Sequence, residues 1–278
     1  MISRLIGAIF RAFCVVILIA LPSLLLPGTS PDSAQIVALV AIFGAALVIF
    51  EYASTYPGLV EFRDAPPFNR VRFASLFITV LILTVMSLGR YEPTPLTQSI
   101  EAVGMIIGNA IDFPYSPVRL VVLMLPEDTS VSQIAHVRTA AGMSYLTSLL
   151  TLAAFLMILR LKGWPHRGGT FNVWVNLPTF DPTAGGDVVE RLERDARFNI
   201  ALGFLLPFLM PAVIKAAASL FGSVSLENPH TLIWTVAAWA FLPASLFMRG
   251  IAMGRIAAMI EDKRRQSKAE ADPDFIPA

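Results

Sequence analysis

Cysteine, histidine and charged residues are all scarce in this chain of 278 residues. The single cysteine, Cys14, excludes an intrachain disulfide. Charged residues make up 15% of the chain, against about 25% in an average soluble domain. The net charge of +1 is too balanced to indicate an acidic ligand. The composition therefore excludes a soluble enzyme, a disordered chain and a nucleic-acid-binding protein.

The motifs of common catalytic and metal sites are also missing. No HExxH, Gly-x-Ser-x-Gly or P-loop pattern occurs. The three histidines, His136, His166 and His230, lie near or beyond the ends of the apolar runs, where they would not hold a haem inside a membrane. We therefore expect no catalytic residue, no cofactor and no metal, and we interpret the chain as non-enzymatic.

Apolar residues, in contrast, make up 55% of the chain, and the mean hydropathy is +0.67. They form long runs, and a helix needs about 20 mostly apolar residues to cross a membrane. Six such runs lie near 10–27, 34–52, 72–89, 139–161, 198–222 and 231–250. We predict an all-α polytopic membrane protein. A bundle of about six transmembrane helices forms one domain over 1–260, and a polar, disordered cytoplasmic tail follows over 261–278.

The basic residues predict the orientation of this bundle, because Lys and Arg are retained on the cytoplasmic side. With the N-terminus inside, 17 of the 21 basic residues are cytoplasmic. Arg90, Arg119 and Arg138 lie outside, and Lys215 lies within a span. Both termini are therefore expected in the cytoplasm. The excess of arginine over lysine is typical of GC-rich bacterial genes, which indicates a bacterial inner (plasma) membrane.

The outer segment 90–138 is too long for a turn and too apolar for an ordinary loop. Thr94 and Pro95 predict a helix start, with a hydroxyl cap before a proline. The helical spacing that follows favours a helix lying in the membrane interface; its apolar residues are Ile100, Val103, Ile107 and Ile111. Whether 97–125 is interfacial, re-entrant or soluble stays open. Gly104 and Gly108 are spaced for close helix contact.

The cytoplasmic connection 162–197 predicts a short solvated helix that runs into the fifth span. Three acid-before-base pairs, four residues apart, indicate this helix: Asp187 with Arg191, Glu190 with Arg194, and Glu193 with Arg197. Such pairs stabilise a helix by only about 0.2–0.5 kcal/mol each, so exchanging them for a partner would cost little. Arg191, Arg194 and Arg197 are therefore candidate docking residues.

Two further sets of residues are functional candidates. Lys215 stands alone in the fifth span, where it either meets a partner or extends to the interface. Pro207 and Pro211 must each free a backbone carbonyl in the same span. In the loop after the second span, Arg63 and Asp64 either bind a phosphorylated head group or neutralise neighbouring charges beside anionic lipid.

Three classes of function fit these features. The favoured hypothesis is an accessory, assembly or scaffold subunit of a membrane complex, since catalytic sets are missing and the spans hold few ionisable groups. Its partners would be membrane lipid and another membrane protein, or a second copy in a homo-oligomer, but no nucleic acid. A small oligomeric transporter or channel is the alternative, favoured by Lys215 and the prolines. A lipid-modifying enzyme that uses the 61–72 loop has the least support.

Overall fold

The structure is a computed structural model that describes residues 2–165, 171–181, 183, 185–221 and 225–271. These residues form helices, with no strand among them. In chain order the helices are α1 (Ile2–Leu25), α2 (Pro31–Ala53), α3 (Phe68–Leu88), α4 (Pro95–Ile111), α5 (Pro117–Leu123), α6 (Val131–Leu161), α7 (Val173–Asn176), α8 (Val188–Phe221) and α9 (Pro229–Ala271). The predicted all-α class is confirmed.

Six of these helices are long and apolar enough to cross a membrane, and each overlaps one of the six predicted runs. They are Arg4–Leu25, Pro31–Ala53, Phe68–Leu88, Val131–Leu161, Val188–Ala218 and Pro229–Lys268. The helices exceed the apolar runs because polar residues at their ends continue the same backbone hydrogen bonding. The largest extension is at α9, which remains helical to Ala271, beyond the predicted domain limit at 260. Residues 272–278 of the predicted tail lie outside the described residues.

Side-chain hydroxyls cap the starts of four helices and explain where they begin. Each cap accepts a hydrogen bond from the backbone N–H three residues later, which satisfies one of the free donors of the first turn. The caps are Ser30, Thr94, Ser116 and Ser130. The helix start predicted at Thr94 and Pro95 is confirmed. The Oγ1 atom of Thr97 accepts a hydrogen bond from the backbone N–H of Thr94, which completes a capping box.

Because the spans are joined end to end, the bundle has two faces. We name the terminal face after the chain termini; it carries residues 51–67, 162–165, 171–181, 185–197 and 249–271. The opposite face carries residues 26–30, 89–130 and 225–228. Helices α3, α6 and α9 pack against one another in the centre, whereas α2 packs against α1 alone among the described helices. The exposed side chains of α2 are mostly apolar, as expected of a helix that contacts lipid.

Two hydrophobic cores fill the bundle, one toward each face. The core toward the opposite face joins α3, α5, α6 and α9, with Leu83, Val121 and Ile233 fully buried. The core toward the terminal face includes aromatic side chains from loops as well as helices: Phe62, Phe68, Phe155, Trp164 and Phe180. Residues 251–260 of α9 contribute to this second core. The loops of the terminal face are therefore packed into the fold.

Helix α4 packs on α6 through glycines. A Cβ atom added at Gly142 of α6 would lie 2.6 Å from the Cα atom of Gly108, which is too close for any side chain. Gly104 is equally crowded, since an added Cβ would meet Thr139 at 2.7 Å. The predicted close helix contact at Gly104 and Gly108 is thus formed within the chain. Val103, on the predicted apolar stripe, is exposed.

Candidate functional site

The loop 54–67 on the terminal face is held by one buried carboxylate. Glu51, in the last turn of α2, is 2% exposed. Its Oε2 atom accepts hydrogen bonds from the backbone N–H groups of Gly58 at 3.0 Å and of Leu59 and Val60 at 2.9 Å each. Bonds to an ionised acceptor are about twice as strong as neutral ones, so this carboxylate fixes the course of the loop.

Arg63 secures the same loop from the other direction. Its Nη1 atom donates to the carbonyl oxygens of Glu51 at 3.0 Å and Ser54 at 2.7 Å, and Nη2 donates to that of Thr55 at 3.3 Å. The last carbonyls of a helix lack intrahelical partners and carry partial negative charge, so a guanidinium there is doubly favourable. Asp64 contacts Arg63 at 3.3 Å and leaves 56% of its own side chain exposed. Of these two predicted site residues, Arg63 thus binds the carbonyls at the end of α2, and Asp64 pairs with Arg63.

Glu61 fastens this loop to α9, which lies far away in the sequence. Its carboxylate accepts hydrogen bonds from Arg249 Nε at 2.6 Å and Nη2 at 2.8 Å. Thr179 Oγ1 donates to the same carboxylate at 2.8 Å. Asn176 joins the assembly, since its Oδ1 atom accepts from the N–H of Asp64 at 3.0 Å. Three segments of the terminal face are therefore locked together by a bidentate ion pair and its neighbours.

The start of α8 adds three arginines to this face, Arg191, Arg194 and Arg197, which we name the basic ridge. Asp187 Oδ1 accepts a hydrogen bond from the N–H of Val189 at 2.6 Å and so caps the start of α8. That N–H and the Arg264 guanidinium, 2.7 Å away, hold the pKa of the Asp187 carboxyl below its usual value. Of the three predicted ion pairs, Glu193 with Arg197 is present at 3.8 Å.

The three predicted docking arginines differ in their surroundings. Arg191 donates to the carbonyl of Asp181 at 2.7 Å, and its guanidinium lies 4.7 Å from the ring centre of Phe180. This arginine therefore helps to hold the 171–181 segment in place. Arg194 and Arg197 are 71% and 75% exposed, with only weak ionic contacts to residues of their own helix. The structure thus leaves two of the three arginines available to a partner.

Lys215 meets a helix end. Its Nζ atom donates to the carbonyl oxygen of Leu123, the last residue of α5, at 2.7 Å. The side chain is exposed, and it forms no ion pair among the described residues. A cation at this position neutralises a free carbonyl of the short helix α5 and so fixes α5 against α8.

Pro207 and Pro211 create a buried carbonyl that needs a donor from another helix. The carbonyl of Pro207 would normally accept from the N–H of residue 211, but Pro211 has none. The indole N–H of Trp239, on α9, donates to it at 3.0 Å instead. Trp239 is 2% exposed, so the bond lies in the interior of the bundle. The two prolines thus specify a contact between α8 and α9.

Buried hydroxyls join the central helices and are a feature that the sequence interpretation missed. Thr151 donates to Ser75 Oγ at 2.9 Å, which connects α6 with α3. Ser148 donates to the carbonyl of Ala240 at 2.9 Å, which connects α6 with α9. Such bonds between membrane helices contribute about 0.6 kcal/mol each on average. The signal was available, because Ser144, Ser148 and Thr151 recur at helical spacing in α6.

The opposite face carries one ion triad and one polar cavity. Asp112, whose side chain is 5% exposed, contacts Arg119 at 2.8 Å and Arg138 at 2.7 Å, tying the α4–α5 connection to α6. The cavity has a volume of about 380 Å³ and opens between the ends of α3, α6 and α9. Arg90 and Glu227 line it, and they come from loops that no local sequence pattern places together.

Metal ligands do not cluster anywhere in the described residues, where no group of three or more His, Cys, Asp or Glu side chains has the arrangement a metal ion needs. Comparison with models of known protein families, with curated proteins and with solved structures found no match.

Proposed function

We propose that this chain is a non-enzymatic accessory, assembly or scaffold subunit of a membrane complex. It acts in a bacterial inner (plasma) membrane, with the terminal face in the cytoplasm. The proposal rests on the contacts that the charged groups on that face make within the fold. Glu51, Glu61 and Arg63 are all engaged in contacts that hold loops to helices. Groups that are fully bonded within the fold are poorly placed to bind substrate or transfer protons.

The same contacts support an interface role, because they order a broad cytoplasmic surface. The loop 54–67, the segment 171–181 and α9 are joined by the Glu61–Arg249 pair. A surface that is ordered before binding loses less conformational entropy when a partner docks. Arg194 and Arg197 project from it, with charges suited to an acidic surface on another membrane protein or on a second copy of this chain.

The structure also sharpens the experiment that tests this proposal. Replacing all three arginines of the ridge would disturb the fold, because Arg191 stacks on Phe180. The double variant Arg194→Gln/Arg197→Gln removes only the exposed charges. The matched control is Arg265→Gln/Lys268→Gln, which removes two exposed charges from α9 on the same face.

We expect the ridge variant to lose partners that co-purify in mild detergent, while the control retains them. Both variants should insert into the membrane and keep the wild-type midpoint of thermal unfolding, since surface ion pairs contribute about 0–1 kcal/mol. Retention of every partner at full stoichiometry by the ridge variant would contradict docking at this surface. A wild-type protein that purifies alone as a homo-oligomer would favour the alternative of a small oligomeric transporter or channel.

The proposed orientation has its own test. Single cysteines introduced at Ser30, Gln98, Thr183 and Ser267, in a chain whose Cys14 is replaced by serine, report which side of the membrane each position faces. An impermeant reagent added outside intact cells should label the cysteines at 30 and 98 and spare those at 183 and 267. Labelling at 183 from outside would reverse the orientation.

A small oligomeric transporter or channel is a second candidate, and the polar cavity on the opposite face favours it. Buried hydroxyls also lie on α3 and α6, at Thr84, Ser144 and Ser148. Their number is small for a conducting pathway, and Ser148 is engaged between helices. Solute flux into proteoliposomes that contain the purified protein tests this candidate directly, and flux that depends on the protein would support it over the subunit proposal.

A further inference from the structure

We propose that the cavity on the opposite face binds a small zwitterion, a molecule of the amino-acid class that carries one carboxylate and one ammonium group. This proposal does not rest on the scaffold function. The cavity is lined by Ser87, Arg90, Tyr91, Ser130, Gln133, His136, Glu227, Pro229 and Leu232. Its volume of about 380 Å³ is at the low end of ligand sites, so the ligand is small.

The two charges in the wall have opposite signs and do not pair with each other. Within the described residues, the Arg90 guanidinium makes one hydrogen bond, to Gln133 Oε1 at 2.9 Å, and the Glu227 carboxylate makes none. Opposite charges that share a cavity but remain apart leave room for a ligand between them. A carboxylate would bind the planar fork of Arg90, and an ammonium would bind Glu227.

Gln133 sets the positions of both charges. Its side-chain oxygen holds the Arg90 guanidinium, and its Nε2 atom donates to the carbonyl of Leu226 at 2.7 Å. Leu226 directly precedes Glu227, so one buried amide connects the two charged walls of the cavity. A positioning residue of this kind lowers the entropy lost when a ligand binds, because the recognising groups are already arranged.

Ser87 provides a second observation, a buried hydroxyl in the cavity wall without a hydrogen-bond partner in the described part of the chain. Its side chain is 1% exposed, it lines the cavity, and its Oγ atom has no hydrogen-bond partner among the described residues. A buried hydroxyl without a partner is unfavourable, and most native ones are satisfied. A polar ligand group at the base of the cavity would supply the hydrogen-bond partner that this hydroxyl lacks. Leu232, also in the wall, is 1% exposed and limits the space left for an apolar side chain.

The first experiment uses the wild-type protein in detergent and measures its midpoint of thermal unfolding with added solutes. The probes are glycine, β-alanine and 4-aminobutyrate, which carry both charges at increasing separation, and propanoate and propylamine, which carry one each. We expect at least one of the zwitterions to raise the midpoint saturably, by mass action, and the singly charged probes to have no effect. No shift with any zwitterion, or an equal shift with propanoate alone, would overturn the proposal.

The second experiment measures the affinity for the best zwitterion by titration calorimetry in two cavity variants and two control variants. Arg90→Gln and Glu227→Gln should each weaken binding about 10- to 100-fold, as expected for loss of a charged hydrogen bond. The matched controls, Arg70→Gln and Glu127→Gln, make the same chemical changes at exposed positions outside the cavity and should bind as wild type. Equal weakening by a control would show that net charge, not the cavity, governs binding.

Ser87→Ala separates ligand recognition from packing. Removal of an unpartnered hydroxyl should leave the unfolding midpoint of the ligand-free protein unchanged or higher, while weakening the zwitterion about 2- to 10-fold. A lower midpoint with unchanged affinity would show that the hydroxyl serves the fold, and would remove the structural sign on which the site depends.

Discussion

Glu51→Gln tests whether one carboxylate orders the loop 54–67 on the terminal face. The substitution keeps the size of the side chain and replaces one of the two acceptor oxygens by an amide that can only donate. The remaining oxygen can still accept at the Oε2 position, where the N–H groups of Gly58, Leu59 and Val60 converge. What is lost is the charge that strengthens these three bonds.

The magnitude follows from the difference between charged and neutral hydrogen bonds. Each bond becomes about 1 kcal/mol weaker, so the three together lose about 3 kcal/mol, which is about 100-fold in a local opening equilibrium. Gly58 and Leu59 are exposed, so water replaces the carboxylate once the loop has opened. The global midpoint of unfolding should therefore fall only slightly, while local opening increases strongly.

Hydrogen–deuterium exchange measured by mass spectrometry reads out this difference directly. We expect exchange at residues 58–60 to accelerate by up to about 100-fold in Glu51→Gln, and further in Glu51→Ala, which has no acceptor. The control Glu127→Gln makes the same chemical change at an exposed position and should leave these amides at the wild-type rate. Wild-type exchange rates at 58–60 in both Glu51 variants would refute the role assigned to the carboxylate.

Two further substitutions test the contacts between helices. Trp239→Phe should lower the free energy of unfolding by about 1–3 kcal/mol, since it leaves the buried carbonyl of Pro207 without a donor. The control Trp234→Phe removes no such bond and should cost less. Equal thermal midpoints of the two variants would contradict the bond to Pro207. Gly142→Ala should displace α4 and lower the midpoint of thermal unfolding, because its Cβ would lie 2.6 Å from a backbone atom. The control Gly254→Ala, whose Cβ would lie 3.8 Å from its nearest neighbour, should leave the midpoint unchanged. An unchanged midpoint in Gly142→Ala would contradict the close contact between α4 and α6.

The six spans were predictable because each depends on a local property of the chain. About 20 apolar residues in succession identify a span wherever the rest of the chain lies. The helix start at Thr94 was predictable for the same reason, since the cap and the N–H it accepts are three residues apart. Features that depend on residues within one or two helical turns of each other can therefore be predicted from the sequence alone.

The terminal face was not predictable, because its contacts join residues that are distant in sequence. Glu61 and Arg249 are separated by 188 positions, and nothing local distinguishes this pair from any other acid and arginine. Even a local rule was overridden here. The i, i+4 spacing predicted that Asp187 would pair with Arg191, but Asp187 binds Arg264 from α9, and Arg191 packs on Phe180.

The proline pair in α8 shows how far sequence reasoning extends and where it stops. From Pro207 and Pro211 alone, the carbonyls of Gly203 and Pro207 must each lose their N–H donor, and burial in a membrane makes another donor necessary. The sequence thus predicts that a donor exists, but only the packing of α9 against α8 identifies it as Trp239. The cavity on the opposite face also contains a buried polar group that needs a hydrogen-bond partner. Ser87 is a buried hydroxyl that also needs a partner, and here no described residue of the chain supplies it. A ligand in this cavity is the partner that we propose for Ser87.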